Sequence, residues 1–271
     1  MRPVPKQQIG LEIHELLLNN TNIVYGMTRF HKDGPDALLQ LRKIEPRQPD
    51  ASLPRGWNKI NIFFDLPYWK HLKIRHNLDV MHIEKNVCDN ILSTLLQDRV
   101  KSKDGINARK DLQQMNIRLD LHAKDLENDK FEMPASKITM SKSEMQQFCN
   151  VLKSVKSPDG YSSNISNNVK VKERQIINLK THDNHILLHQ LIPVALRGNI
   201  DDAAAKVLME FCGFFNKLCS KVVDVSEFEK MEADFVITLC NMKMLFPPSF
   251  FTIIVYLTIH LAREAIIAGP V

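Results

Sequence analysis

From Asp79 onward, apolar positions recur at helical spacing: Val80, Ile83, Val87, Ile91 and Leu95, with Leu92 and Leu96 widening the stripe. A period of three to four residues gathers these side chains on one face, so the pattern predicts a helix over about residues 79–97. Asn77 or Asp79 can cap it by accepting a free backbone N–H. Before it, Ile60-Asn61-Ile62-Phe63-Phe64 is short, β-branched and aromatic, and predicts a strand that Pro67 ends. A second candidate strand covers Leu72 to Ile74.

The middle of the chain is polar and predicts short helices around Ala108 to Met115 and Ser141 to Leu152. Thr139 or Ser141 with Glu144 resembles an N-terminal capping signature. Ser157-Pro158-Asp159-Gly160 predicts a turn, and the asparagine-rich stretch Asn164 to Asn168 extends it as a loop. The last third predicts helices over Asn184 to Ile192, Asp201 to Val222, Ser226 to Leu245 and Ser249 to Ile267. Ser226 and Ser249 are the expected caps of the last two, Pro247-Pro248 breaks the chain between them, and Gly269-Pro270 closes the last.

Residues 1–57 show less order. A short amphipathic piece, Leu11 to Leu18, leads into a polar run punctuated by Pro46, Pro49 and Pro54, which predicts a linker or surface arm. An N-terminal arm (1–57) is therefore expected, followed by a polar middle and an all-α C-terminal third. The fold class is mainly α. No internal repeat, glycine-rich phosphate loop, nucleophile elbow or HExxH pair occurs in the sequence.

Composition fits this picture. Hydrophobic residues make up 44% and charged residues 25% of the 271, ordinary for a globular chain long enough to bury a sizeable core. The formal charge is +5 and it is unevenly spread. Residues 98–180 hold 16 Lys or Arg against 11 Asp or Glu, whereas residues 181–271 hold 7 against 10. A basic middle suits a polyphosphate partner such as DNA, because each neutralised phosphate releases counterions. A solvated polar surface explains the charge equally well.

Cys88, Cys149, Cys212, Cys219 and Cys240 are odd in number, widely spaced and without a CxxC pair, so neither a zinc ribbon nor a disulfide framework is indicated. All but Cys149 fall in apolar helical patterns, where a free cysteine behaves as a small hydrophobe. A reducing compartment, nucleus or cytosol, is the expectation. The start of the sequence has no apolar signal core, so secretion is not expected. The apolar run Phe250 to Ile259 is interrupted by His260, Arg263 and Glu264 before the roughly 20 apolar residues of a membrane span.

Three groups of residues carry candidate chemistry. Asp79 and His82 are three apart at a helix start and share a face, where they could hold a divalent metal or, more simply, serve as a cap and a surface residue. His182, His185 and His189 are also spaced for one helical face. No cysteine or second histidine pair lies near them in the sequence to complete a zinc site, so a polar face is the preferred reading. His260 and Glu264 lie one turn apart on an otherwise apolar helix. Glu264 is then either that helix's exposed end or a carboxylate held in a core.

The string from Phe63-Phe64-Asp65-Leu66-Pro67-Tyr68-Trp69-Lys70-His71-Leu72 through Arg75-His76-Asn77-Leu78-Asp79-Val80-Met81-His82-Ile83-Glu84-Lys85-Asn86-Val87 resembles the plant CACTA (En/Spm-like) transposase family. So do Asp104-Gly105-Ile106-Asn107-Ala108-Arg109-Lys110-Asp111-Leu112 and the stretch from Ser154 to Ile165. Residues 179–271 resemble the domain of unknown function that follows these transposases, most clearly at Met244-Leu245-Phe246-Pro247-Pro248-Ser249-Phe250-Phe251 and Gly269-Pro270-Val271. The resemblance covers about residues 58–271 and implies a partial transposase region (58–178) followed by a helical C-terminal region (179–271).

The resemblance implies an α/β RNase H-like core, of which residues 58 to about 97 would be an incomplete piece, followed by a helical insertion and a helical C-terminal part. It implies a triad of carboxylates holding Mg2+ or Mn2+ for DNA cleavage and strand transfer. The family's D-x-x-H pattern falls on Asp79 and His82, with Asp79 as the metal ligand, and Glu264 is a candidate third carboxylate. The first carboxylate belongs upstream of the matching region, and Tyr256 stands where relatives carry a histidine. The expectation is a transposon-derived fragment, nuclear or cytoplasmic, without autonomous transposition but retaining DNA binding. The alternatives are a co-opted helical protein-interaction module and a metal-dependent nuclease within a longer intact protein.

Overall fold

The computed structural model describes residues 11–12, 15, 24–25, 59–60, 62–73, 77–126, 130–156, 164–222 and 224–269. The chain divides into two units, Met1–His76 and Asn77–Val271. In the first, β1 (Val24–Tyr25) pairs in parallel with β2 (Lys59–Ile60). Most of the expected N-terminal arm lies outside the described residues.

The expected strand over residues 60–64 does not continue past Ile60. Ile62–Asp65 form a 3-10 turn and Trp69–His71 another. Asp65 and Pro67 disfavour an extended run, and folding back stacks the Phe63 ring on Trp69 at 5.2 Å between centroids. The second candidate strand is also absent at Leu72 and Lys73, and Ile74 lies outside the described residues.

The second unit is mainly α, as the sequence predicts. Among the described residues its α-helices are α1 (Val80–Leu95), α2 (Ile106–Gln114), α3 (Lys142–Ser154), α4 (Thr181–Ile186), α5 (Ile192–Ala195), α6 (Asp202–Leu218), α7 (Val225–Leu245) and α8 (Ile253–Ala268). Between them, β3 (Lys124–Leu126) pairs antiparallel with β4 (Lys130–Glu132), and β5 (Val169–Lys170) with β6 (Gln175–Ile176). Asn164–Asn168, expected as loop, tightens into a 3-10 turn over Ile165–Asn168 that buries Ile165. The expected turn at Ser157–Gly160 lies outside the described residues.

Local chemistry sets the helix ends. The Asp79 side chain accepts the backbone N–H of His82 at 2.9 Å and opens α1. Ser141 and Glu144 form a reciprocal capping box at the start of α3. Asp201 accepts from Ala203 and Ala204 at the start of α6. Two expected caps are corrected. Asp224, not Ser226, caps α7 by accepting the Ser226 N–H at 2.9 Å, since a carboxylate at that position is the better acceptor for the positive end of the helix dipole. Ser249 sits inside a 3-10 turn, Pro248–Phe250, and α8 begins after Thr252. Gly269, at φ +97°, ends α8 in a conformation that favours glycine, and its N–H donates to the Ala265 carbonyl at 3.0 Å.

One continuous core runs through the unit. It joins the inner face of α1 (Val80, Ile83, Val87, Cys88, Ile91, Leu92, Leu95) to α4, α6, α7 and α8. Phe211, Phe215, Phe246 and Phe250 are fully buried within it. Each such aromatic or aliphatic side chain contributes about 1.5–3 kcal/mol by leaving water. Helix α1, from the central region, packs directly on α4 and α8, from the C-terminal region. Among the described residues, no helix is long and apolar enough to cross a membrane.

Candidate functional site

On α1 the apolar stripe has one polar interruption. Glu84 lies four residues after Val80 and four before Cys88, so it points into the core with them, and it is 1% exposed. A carboxylate there must find donors, because an unpaired buried charge costs several kcal/mol. It finds them on α4 and the turn after it. His185 Nδ1 lies 2.8 Å from Glu84 Oε2, and His189 Nε2 lies 2.6 Å from Glu84 Oε1. The Cys219 thiol, at the C-terminal end of α6, donates to Glu84 Oε1 at 3.5 Å. The ligand atoms of all four residues lie within 4.8 Å of one another.

The backbone around His189 is shaped by Pro193. Proline has no N–H to return to the His189 carbonyl four residues earlier. The ladder widens there into a π-turn, Leu187–Leu191, and Asn216 Nδ2 of α6 reaches the His189 carbonyl oxygen at 3.5 Å. Such widened turns recur at functional sites because they re-aim one side chain without breaking the helix. Leu187, Leu188 and Ile192 anchor the segment in the core. The rings of His185 and His189 lie 3.9 Å apart between centroids, and His182 stacks on the outer side of His185 at 5.9 Å.

Burial pushes the Glu84 carboxyl up, but the hydrogen bonds and charge of His189 and His185 outweigh it and hold the group below its ordinary value. Cys219 moves the other way. Burial, followed by the adjacent Glu84 charge and hydrogen bond, pushes its thiol up to about 12. Burial also pushes the Cys88 and Cys212 thiols well up, which makes them inert core residues rather than nucleophiles.

The structure brings together two of the three histidines in the 182–189 series and supplies partners the sequence did not show. Glu84 is 101 positions from His185, and Cys219 is 135 positions from Glu84. The available signal was a charge inside an apolar stripe.

Asp79 and Glu264 are brought to the same end of α1, but the backbone uses both. Asp79 Oδ1 accepts from His82, whose side chain is exposed, and Glu264 Oε2 accepts the N–H of Leu78 at 2.7 Å. Among the described residues, neither belongs to a group of three or more His, Cys, Asp or Glu within metal-binding reach. This arrangement does not fit a two-metal carboxylate centre for Mg2+ or Mn2+, which needs several convergent oxygens.

The fold thus defines a mainly helical domain with a buried carboxylate–histidine–cysteine cluster. Residues 218–271 match a family model described as a domain of unknown function (DUF4218), a segment that includes Cys219 and Glu264. No match was found among curated proteins or solved structures.

Proposed function

We propose that this chain is a transposon-derived, transposase-like protein that acts by binding and is catalytically inactive as a strand transferase. One observation carries the reading: Asp79 and Glu264 each accept a backbone N–H at the start of α1 and, among the described residues, neither belongs to a cluster of three or more metal-ligating side chains. The motif resemblance over residues 58–271 supports the transposase origin, and the RNase H-like core it implies belongs to the same proposal. The basic segment 98–180 is the proposed contact for DNA, and the nucleus or cytoplasm the proposed compartment.

The test is retention of duplex DNA by the purified chain across a salt series, alongside a Mn2+-dependent nicking assay. Phosphate contacts predict a steep loss of affinity with salt, on the order of 10^3-fold or more between 50 and 200 mM for about six contacts. Wild type and Asp79→Ala should both lack nicking. Retention that is absent or insensitive to salt removes DNA as the partner. Nicking by wild type that Asp79→Ala abolishes overturns the inactive reading.

A further inference from the structure

The Glu84–His185–His189–Cys219 cluster plays no part in that reading. We propose that it is a structural transition-metal site of the Zn2+ class, in which the ion joins α1, the α4 segment and the end of α6.

The donor set points to this class of ion. Two imidazoles, a carboxylate and a thiol form a mixed N, O and S set that suits Zn2+ and excludes Mg2+ and Ca2+, which require oxygen ligands. Four protein ligands with no open position are the mark of a structural zinc site. The spacing agrees. Bonds of about 2.0–2.3 Å to a central ion give a tetrahedron with edges of about 3.3–3.7 Å. The 3.5 Å between Cys219 Sγ and Glu84 Oε1 lies in that range, the hydrogen-bonded 2.8 and 2.6 Å from Glu84 to His185 and His189 lie below it, and all four ligand atoms fall within 4.8 Å of one another. Binding the ion would lengthen the two Glu84–histidine contacts by about 0.5–1 Å to reach those edges.

Charge makes the same case. A Zn2+ ion with one carboxylate, one thiolate and two neutral imidazoles forms a neutral centre, which a buried position tolerates far better than a lone carboxylate. On binding, the Cys219 S–H bond breaks and its proton passes to solvent as the sulfur–metal bond forms. His185 and His189 coordinate through Nδ1 and Nε2 respectively, each carrying its proton on the opposite ring nitrogen. The side chain of His185 is 30% exposed and that of His189 6% exposed, so His185 marks the entry path.

The site rests on rigid parts. Glu84 is on a sixteen-residue helix whose inner face around it, at Ile83, Val87 and Cys88, is buried, and Cys219 is fixed by donating its backbone N–H to the Phe215 carbonyl at 3.0 Å. The π-turn anchored by Leu187 and Leu188 sets His189.

The test uses the full chain, purified without added chelator, then analysed for metal by mass spectrometry and titrated with Zn2+ and Co2+ after metal removal. The expected result is one equivalent of metal per chain. Co2+ should show the intense visible bands of tetrahedral coordination and a thiolate-to-cobalt charge-transfer band, and Zn2+ should raise the thermal midpoint of the stripped protein. Cys219→Ser should lose the charge-transfer band. His185→Ala, the substitution least expected to disturb the core, should weaken Zn2+ affinity by more than about 100-fold, beyond the effect of an outer-shell change. His182→Ala, outside the four ligands, should keep full stoichiometry. A metal-free chain whose midpoint does not respond to Zn2+, or a Cys219→Ser chain with an unchanged Co2+ spectrum, overturns the proposal and leaves a hydrogen-bonded cluster only. Metal content and DNA retention are separate readouts, so failure of one reading is distinguishable from failure of the other.

Discussion

Glu264, on α8, accepts the backbone N–H of Leu78 at 2.7 Å, joining residues 186 positions apart. The bond fixes the chain just ahead of the Asp79 cap, so α8 and the start of α1 hold each other. Replacing Glu264 with Ala should therefore destabilise the fold even though no chemistry is lost. A charge-assisted bond at a half-buried site is worth about 1 kcal/mol after allowance for screening, which lowers the midpoint by about 2–4 °C in a chain of this size. Glu264→Gln keeps an acceptor oxygen and should lose less. Thermal melts of the two variants check this, and equal losses would mean the hydrogen bond is not what matters.

A second expectation concerns a buried ion pair. Arg109 is 2% exposed, and its guanidinium grips Asp104 in two parallel bonds of 2.6 and 2.8 Å and donates to the Leu121 carbonyl at 3.1 Å. Asp104→Ala strands that charge and should cost about 3–5 kcal/mol. Adding Arg109→Met should restore much of the loss, because the stranded charge leaves with it. Denaturant melts of the single and double variants measure the difference. A double variant as unstable as the single would show that packing, not charge, sets the cost.

The third expectation is pH-dependent. The backbone N–H of Lys101, and then that of Val100, donate to Asp98 at 2.8 and 2.9 Å and hold its carboxyl below the ordinary aspartate range. Because the folded value is the lower one, the unfolded chain takes up the proton first as pH falls. The stabilisation is complete above the ordinary range, near pH 4, and fades as pH drops through the folded value. Asp98→Asn should be less stable than wild type at neutral pH, and the gap should close in acid. A gap that stays constant from pH 7 to acid would assign the loss to shape rather than charge.

Much of the helical unit was legible in the sequence because its elements follow local rules. The period through Val80, Ile83, Val87, Ile91 and Leu95 placed α1, and Ser141 with Glu144 announced α3. The run at Ile60–Phe64 was misread because β-branched and aromatic residues favour a strand only where a partner strand can pair with them. In its place Phe63 folds back onto Trp69. The cluster was half visible. His185 and His189 share a helix face by spacing alone, but Glu84 and Cys219 meet them only through the packing of α1 and α6, which no local pattern encodes. Cys219 read as a hydrophobe because its helix is apolar, and its role depends on standing at that helix's end.

Glu84 also works as an index mark. A stripe of Val, Cys, Ile and Leu alone would tolerate α1 sliding by one turn, since such side chains exchange places at modest cost. Slipped by four residues, Glu84 would occupy the sealed position of Cys88 or of Val80, away from both imidazoles. The several kcal/mol lost by a stranded carboxylate would penalise that alignment, leaving the native one without a close competitor.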